Sequence, residues 1–377
     1  MKKFLIASDS YKGSLSALEV GEAAKKGILS VHPDAEVKIS PMADGGEGTI
    51  EALLQTVPGK EIEVEVHDPL MRPITAKYAV IEYEGKDVVF IECARSSGLP
   101  LVPAGLRNPM NTNSYGLGEQ IRDAVRRGYR DIMVSLGGSA SNDGGLGMLQ
   151  ALGWELYDSS GVLMGMRGNP LLDVVRMSDE NVIPELSECT FAAASDVTNP
   201  FFGENGAAHV FAKQKGASDG EIGDLDLGLR KLAGLYEKTY GVDVQDVAGA
   251  GAAGGLGGAI VAALRGQIAS GVDTVIELTR LEEKVEWADV VFTGEGSLDN
   301  QSVMGKVPVG VGKLAKRHGK KVIGIAGRID TELNEVNKHL DGVFSIQTEC
   351  RTLEEAMEYE TAAKQVEVTV GQIVRVI

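Results

Sequence analysis

The stretch KFLIASDSYKGSLSALEVGEAAKKG, residues 3–27, decides the fold class of this protein. Its apolar run at residues 3–8 predicts a buried strand, and a helical pattern of apolar residues follows from Ser14 to Gly27. A second strand is predicted at residues 35–40, AEVKIS. A strand, a helix and a strand in this order predict a parallel α/β sheet, with Ser14 as the N-cap of the helix.

The same parallel pattern returns toward the other end of the chain, where apolar runs such as DVVFTG (289–294) alternate with helical stretches. Between the two ends the alternating runs EIEVEV, ITAKYAVIEY and DVVFIECA predict an antiparallel meander. The apolar run AAHVFAKQ (207–214) predicts a further strand. We therefore expect a discontinuous domain with six strands, made of residues 1–67 and 285–377, and an inserted mixed-sheet α/β domain at 68–284.

Composition and charge exclude several classes of protein. Asp and Glu number 54 against 37 Lys and Arg, and the formal net charge of −17 repels nucleic acids and anionic membrane surfaces. The three cysteines lie far apart and indicate neither a disulfide framework nor a zinc site. Neither a signal peptide nor a membrane span is predicted, so we expect a cytoplasmic protein, monomeric or homodimeric.

Glycine is unusually frequent, with 48 residues in 377, and several glycines follow predicted strands. A phosphate site needs backbone N–H groups turned toward the ligand, a cation and often a carboxylate that holds a metal. In DSYKGS (9–14), Lys12 and the next helix N-terminus indicate an anion site, or a turn with a solvated lysine. In ADGGEGT (43–49), Asp44 and Glu47 suit Mg²⁺ or a substrate hydroxyl, or form a solvated acidic cap.

Two later loops combine glycine with more polar side chains. SLGGSASNDGGLG (135–147) follows a buried strand and predicts a phosphate cradle or, alternatively, a structural glycine turn. TGEGSLDNQSVMGK (293–306) follows another strand and predicts a polar site or an ordinary strand-to-helix loop; it does not match the P-loop pattern GxxxxGK[ST]. The polar residues that these two loops supply are Ser139, Ser141, Asn142, Asp143, Glu295, Asp299, Gln301, Ser302 and Lys306.

Another glycine pattern points to a different chemistry. Gly249, Gly251 and Gly254 satisfy GxGxxG, and Asp273 follows about 20 residues later, as a dinucleotide-binding fold requires. The preceding segment is a weak strand, and the run of Ala and Gly at 248–264 equally makes a close-packed helix. An NAD-dependent hydroxy-acid dehydrogenase is therefore an alternative at this point.

Arg95, in ECARSSGL (92–99), is a further charged candidate. Its guanidinium either clamps a carboxylate with two hydrogen bonds or is solvated. The sequence has no HExxH or GxSxG pattern, which disfavours a zinc protease or an α/β-hydrolase.

Seven ordered motifs together resemble the bacterial glycerate kinase family, type I. They are DSYKGSLSA (9–17), PMADGGEGT (41–49), ECARSSGL (92–99), GLGEQI (116–121), LGGSASNDGGLGM (136–148), SDVTNP (195–200) and TGEGSLDNQSVMGKVPVGV (293–311). The resemblance implies a Rossmann-like α/β domain formed by both chain ends, a second α/β domain inserted into it, and an active site in the cleft between them.

The activity that the resemblance implies is transfer of the ATP γ-phosphate, with Mg²⁺, to a hydroxyl of D-glycerate. The product is 2-phosphoglycerate or 3-phosphoglycerate, and ATP and glycerate are the expected small-molecule partners. A non-catalytic glycerate-binding protein is the alternative that keeps the ligand without the reaction.

The resemblance also implies roles for particular residues. The expected catalytic residues are Asp196, Lys12 and Asp44. The expected substrate-binding residues are Ser10, Arg95, Ser96, Gly46 and Glu47. The expected phosphate- or nucleotide-binding residues are Gly138, Ser139, Asn142, Asp143, Gly294, Gln301, Ser302 and Lys306. The expected metal ligands are Glu295 and Asp299. Lys12 and Lys306 are assigned to phosphate oxygens and Arg95 to the glycerate carboxylate, whereas the base and the metal ligand stay interchangeable among the carboxylates.

Overall fold

The computed structural model describes residues 2–166, 168–299 and 305–377. These residues form two compact units. The first unit comprises Met1–Asp44, Glu51–Pro58 and Ser270–Ile377, and the second comprises Gly45–Ile50 and Gly59–Ala269. Both ends of the chain therefore contribute to one unit, into which the other is inserted.

The strands and helices are numbered in chain order. The strands are β1 (Lys3–Ser8), β2 (Glu36–Ile39), β3 (Gly59–His67), β4 (Pro73–Tyr83), β5 (Lys86–Glu92), β6 (Asp131–Ser135), β7 (Glu155–Tyr157), β8 (Arg176–Ser178), β9 (Thr190–Ala194), β10 (Gln267–Ala269), β11 (Val290–Leu298), β12 (Lys321–Ile329) and β13 (Gly342–Ser345). The helices are α1 (Ala17–Val31), α2 (Thr49–Leu54), α3 (Ala94–Ser97), α4 (Tyr115–Arg126), α5 (Leu146–Ala151), α6 (Asp219–Tyr240), α7 (Ala252–Ala262), α8 (Gly271–Leu278), α9 (Leu281–Trp287), α10 (Val307–Arg317), α11 (Leu353–Met357) and α12 (Tyr359–Ile373).

A five-stranded sheet forms the centre of the first unit, in the order β13-β12-β11-β1-β2. All of its described pairings are parallel, which confirms the predicted sheet type. The expected number of six strands is wrong, because β3 pairs with β4 in the second unit. Residues 270–284, expected in the insertion, lie in the first unit, where α8 and α9 pack against α10.

Helix α1 begins two residues later than the sequence indicated. The predicted N-cap, Ser14, lies instead in a tight turn whose N–H donates to the carbonyl oxygen of Tyr11. Ser16 is the N-cap: its hydroxyl oxygen accepts from the N–H of Glu19, whose carboxylate accepts from the N–H of Ser16. This reciprocal capping box satisfies two backbone donors and outcompetes the single cap at Ser14.

The second unit has a six-stranded mixed sheet in the order β10-β9-β6-β5-β4-β3. Strands β5, β6, β9 and β10 run parallel, whereas β3, β4 and β5 form the predicted antiparallel meander. A separate two-stranded antiparallel sheet pairs β7 with β8. The mixed α/β fold class is therefore confirmed.

The strand expected at residues 207–214 is wrong. That segment forms a π-helical turn (Ala208–Ala212) followed by a 3-10 turn (Lys213–Lys215). Ala208, Ala212 and Lys215 are buried while the residues between them are mainly exposed, which is a helical and not an alternating pattern. Within the described ranges, no helix is both long and apolar enough to cross a lipid bilayer.

Candidate active site

In the first unit, three carboxylates lie within, directly after or shortly after neighbouring parallel strands. Asp9 comes directly after β1, and its N–H donates to the carbonyl oxygen of Gly294 in β11 (2.9 Å). Glu295 is the next residue of β11, and Asp44 lies in the segment that follows β2. We call Asp9, Asp44 and Glu295 the acidic cluster. The carboxyl ends of parallel strands are where ligands collect in open α/β sheets.

Asp9 is the most perturbed member of the acidic cluster. It is 7% exposed, and its carboxylate accepts from the N–H of Ser10 (2.6 Å) and from the Ser10 hydroxyl (3.3 Å). Burial, reinforced by the negative charges of Asp44 and Glu295, raises the pKa of Asp9 to about 7, against the opposing effects of Ser10 and Lys12. A carboxylate that titrates near neutral pH is suited to accept and return a proton.

Two lysines approach the acidic cluster. The ammonium of Lys12 lies 3.8 Å from an Asp44 carboxylate oxygen, and that of Lys306 lies 3.2 Å from a Glu295 oxygen. The Lys12 side chain is largely exposed, and Lys306 directly precedes α10. Lysines that alternate with carboxylates in this way are able to contact phosphate oxygens, and the N-terminus of α10 adds a favourable dipole.

The remaining predicted residues of the first unit are placed less directly. Gly294 lies inside β11, where an added Cβ would collide with the carbonyl oxygen of Ile325, so close strand packing requires a glycine there. Asp299 is partly buried just after the end of β11. Gln301 and Ser302 lie outside the described residues.

The donor set at this edge bears on Mg²⁺ binding. Among the residues that the structure describes, no group of three or more His, Cys, Asp or Glu side chains is arranged to hold a metal ion. Mg²⁺ is usually held by one or two carboxylates together with substrate phosphates and water, not by an all-protein cage. Glu295 lies within β11 and Asp299 just after it, and both carry carboxylates, the side chains that ligate Mg²⁺ in proteins.

In the second unit, three adjacent parallel strands end in register, since Glu92 of β5 pairs with Ser135 of β6, and Ser135 with Ala194 of β9. The segments that follow these strands carry most of the predicted residues of this unit. We call residues 136–145, after β6, the glycine-rich loop. This edge is the second candidate binding surface of the chain.

The segment after β5 makes buried polar contacts. The Nε of Arg95 donates to a carboxylate oxygen of Glu92 (2.7 Å), and the other Glu92 oxygen accepts from the N–H of Ile50 (2.9 Å). The Ser96 hydroxyl is fully buried and donates to Gln120 of α4 (2.6 Å). Arg95 is partly exposed and oriented by Glu92, whereas the hydroxyl of Ser96 is directed into the unit.

The predicted substrate residues at 46–47 lie beside the glycine-rich loop. The carbonyl oxygen of Gly46 accepts from the hydroxyl of Thr49 (2.8 Å), and a Cβ added at Gly137 would lie 3.1 Å from the Gly46 Cα. Glu47 is exposed. The backbone at Gly46 therefore lies close to the backbone of the glycine-rich loop, and the Glu47 side chain lies at the surface.

The glycine-rich loop is held by several hydrogen bonds. The Cys93 thiol donates to the carbonyl oxygen of Gly137 (3.2 Å). The N–H of Leu99 donates to the carbonyl oxygen of Gly138 (2.9 Å). The Asp143 carboxylate is fully buried. It accepts from the N–H and hydroxyl of Ser114 and from the N–H groups of Gly145 and Gly147. Asp143 therefore shapes the loop from within.

Other polar groups of the glycine-rich loop are buried without such contacts. Among the described residues, the hydroxyl of Ser141 and both polar atoms of the Asn142 amide have no hydrogen-bond partner. Buried polar atoms are nearly always satisfied, so these groups are available to a ligand or to water.

Lys215 makes the contacts to the glycine-rich loop that sequence reasoning missed. It is 3% exposed, and its ammonium donates to the Ser139 hydroxyl (2.8 Å) and to the carbonyl oxygen of Ser141 (2.6 Å). Burial lowers the pKa of Lys215 to about 8, although Cys93 and Asp143 act in the opposite direction. A helical pattern in AHVFAKQK, which places Lys215 on the buried face, is the signal that could have found it.

Asp9 was also missed, although it lies in the first motif. The signal that could have found it is its position directly after a buried strand. Asp196 is the second residue after β9, and the N–H of the intervening Ser195 donates to the carbonyl oxygen of Ala269 (2.9 Å). Asp196 is partly buried.

The dinucleotide interpretation of Gly249, Gly251 and Gly254 is wrong. A 3-10 turn (Val244–Asp246), not a strand, precedes the pattern, and Asp273 lies in the other unit. A Cβ at Gly251 would collide with the carbonyl oxygen of Pro200, and one at Gly254 with that of Ser141. Gly254 also has a φ of +70°, which favours glycine. These glycines therefore permit close backbone packing.

Comparison with known proteins identifies the family of this chain. Residues 4–377 match the model of the glycerate kinase family. The chain is 45% identical to a glycerate 2-kinase of Escherichia coli K12, covering 94% of this chain and 93% of that one. It is 42% identical to a glycerate kinase of Bacillus subtilis 168, covering 98% and 96%.

A solved structure gives the same result. The crystal structure described as a glycerate kinase 2 of Salmonella typhimurium LT2 superposes with a TM-score of 0.88 at 42% identity. The match covers 99% of this chain and 97% of that chain. The resemblance found in the seven motifs is confirmed, and the chain belongs to the glycerate kinase family.

Proposed function

We propose that this protein is an ATP-dependent glycerate kinase that transfers the γ-phosphoryl group of ATP to D-glycerate. The observation that carries the proposal is the acidic cluster, flanked by Lys12 and Lys306, in a chain that matches the glycerate kinase family along its length. The product that we propose is 2-phosphoglycerate, because the Escherichia coli relative is a glycerate 2-kinase.

Phosphoryl transfer requires positioning, charge neutralisation and removal of one proton from the attacking hydroxyl. Asp9, with a pKa of about 7, is able to accept that proton at neutral pH. We assign Lys12 and Lys306 to oxygens of the transferred phosphate. Mg²⁺, held by Glu295 and Asp299, would supply further positive charge against the phosphate oxygens.

We assign the second unit to recognition. The guanidinium of Arg95, oriented by Glu92, suits the carboxylate of glycerate, since a guanidinium forms two parallel hydrogen bonds with a carboxylate. Ser139 and Asn142 of the glycine-rich loop suit an anionic group.

Asp196 acts on the transferred group, as a second candidate for the base or through the metal.

An assay of ADP formation with D-glycerate, ATP and Mg²⁺ tests the proposal. We expect ADP release that depends on both glycerate and the metal, and phosphorus NMR should identify 2-phosphoglycerate. Other hydroxy acids serve as controls, together with NAD in place of ATP. Glycerate-dependent NAD reduction without ADP release, or binding of glycerate with no turnover, would refute the kinase.

A further inference from the structure

The buried ammonium of Lys215 has unusual partners. Both of its described acceptors, the hydroxyl of Ser139 and the carbonyl oxygen of Ser141, are neutral. The carboxylate of Asp143, whose charge acts on the pKa of Lys215, already accepts four hydrogen bonds from other groups. A buried cation is costly unless an anion compensates it, so this arrangement favours a negative charge that the protein itself does not supply.

The contact with Ser139 fixes the direction of a second hydrogen bond. A hydroxyl oxygen that accepts from an ammonium must direct its own hydrogen to another acceptor. Hydrogen bonds in such a chain polarise one another, so the Ser139 hydroxyl becomes a stronger donor. Ser139 is 6% exposed and lies on the glycine-rich loop, whose Asn142 amide is buried without a described partner.

We propose that Lys215 is a positioning residue that turns the Ser139 hydroxyl toward an oxyanion of the substrate pair. The ligand is either the carboxylate of glycerate or a phosphate of ATP, and Lys215 acts on it through Ser139. This inference rests on the proposed kinase function and adds to it a hydrogen-bond relay from Lys215 through Ser139 to the anion.

The relay predicts a dependence on pH. When Lys215 loses its proton, the neutral amine is able to accept from Ser139, and the hydroxyl no longer has to donate to the ligand. Lys215 has a pKa of about 8, and its titratable neighbours are Cys93 and Asp143. Burial raises the pKa of Cys93 to about 12, so its thiol stays protonated over this range. Anion affinity should therefore be present below about pH 8 and fall above it.

Calorimetry on the full chain tests the relay directly, with glycerate alone and ATP alone as separate probes. For one of the two, we expect the dissociation constant to rise by about tenfold between pH 7 and pH 9, with proton uptake on binding near pH 8. The probe that responds identifies the source of the oxyanion. A dissociation constant that is flat over this range for both probes would overturn the proposal.

Substitutions give a second, independent test. Ser139→Ala and Lys215→Met should each raise the KM of the same substrate by about tenfold, and the double variant should be no worse than either, because both remove one relay. Lys213→Met is the matched control: Lys213 is exposed, lies in the same 3-10 turn and pairs with Asp219, and its loss should leave both KM values unchanged.

The outcomes separate the relay from the kinase proposal. If Lys215→Met fails to fold, as judged by thermal melting, Ser139→Ala and the wild-type pH dependence still decide. Additive losses in the double variant, or a changed KM for different substrates, would refute the relay while leaving the kinase intact. Absence of glycerate-dependent ADP release would refute the kinase, whereas the calorimetric pH dependence would still report on the relay.

Discussion

The carboxyl edge of the first unit's sheet carries the acidic cluster with two lysines near it, whereas that of the second unit carries hydroxyls, an amide and a buried ammonium in addition to its own carboxylates. In the first unit, burial and neighbouring negative charges raise the pKa of Asp9 to about 7. In the second unit, burial lowers the pKa of Lys215 to about 8. Desolvation disfavours whichever form is charged, so two groups of opposite charge are brought toward neutrality from opposite sides.

In the function that we propose, the two units have different roles. The same topological position accepts either kind of site, and the side chains that follow each strand decide which. The acidic edge suits proton transfer and a metal that is shared with phosphate. The other edge suits the recognition of an anion.

Asp9→Asn should have the largest effect, because it removes the proposed proton acceptor while preserving the shape of the side chain. We expect kcat to fall by about 10² to 10³, measured as glycerate-dependent ADP release. In the wild type, kcat/KM should fall as the pH drops through about 7, since Asp9 is then protonated. Asp34→Asn, at an exposed position of the same unit, should retain wild-type activity.

The same variant should be more stable than the wild type above neutral pH. The pKa of Asp9 is raised from 3.8 to about 7, so folded Asp9 holds its proton more tightly than unfolded Asp9. Its contribution to stability is therefore present at low pH and is lost as the pH rises toward 7. Asp9→Asn should raise the melting temperature at about pH 8, and a lower one would contradict the cost assigned to this buried charge.

Asp196→Asn tests whether the second unit also contributes to the chemical step. We expect kcat to fall by about 10², because a charge that acts on the transferred group is lost. Circular dichroism and melting should stay near wild type, since Asn is still able to accept a hydrogen bond in a turn. A variant that retains more than about half of the wild-type kcat would restrict the chemistry to the first unit.

Lys306→Met sharpens the assignment of the first unit's cations to phosphate. We expect the KM for ATP to rise by about tenfold, with a smaller change in the KM for glycerate. Lys313→Met is the matched control, because Lys313 is exposed on α10, the helix that Lys306 precedes. An increase confined to the KM for glycerate would reverse the assignment.

The smallest effects concern the packing glycines of the second unit. Gly254→Ala should destabilise by about 1–3 kcal/mol, because φ is positive and the added Cβ meets the carbonyl oxygen of Ser141. Gly234→Ala, at an open position in α6, should stabilise by about 0.5–1 kcal/mol. Urea midpoints would measure both changes, and equal effects would mean that the packing at Gly254 is not restrictive.

The periodicity of apolar residues correctly predicted strands whose partners are close in sequence. The antiparallel meander β3-β4-β5 and the parallel pairing of β1 with β2 follow from alternating or buried apolar runs and short connections. The error at residues 207–214 came from an apolar run that is too short to separate a strand from helical turns.

The titration behaviour of the site could not be predicted in the same way. The pKa of Asp9 depends on Asp44 and Glu295, and Glu295 lies at the opposite end of the chain. Lys215 is buried against the glycine-rich loop, to which it donates a hydrogen bond although the loop is remote in sequence. The glycine pattern at 249–254 shows the converse, because a local signature matched while its required strand was absent from the described element order.

The pairing of β1 with β11 has a consequence for the nascent chain. Phe4, Leu5 and Ile6 are buried between strands, yet their partners Val290, Val291 and Phe292 are made only after more than 280 other residues. At about 5–20 residues per second, the ribosome needs roughly 15 to 60 seconds to reach β11. The inserted unit is complete before then, so it should fold first. Until β11 is made, the apolar N-terminal segment has no partner strand on that side and is able to bind chaperones.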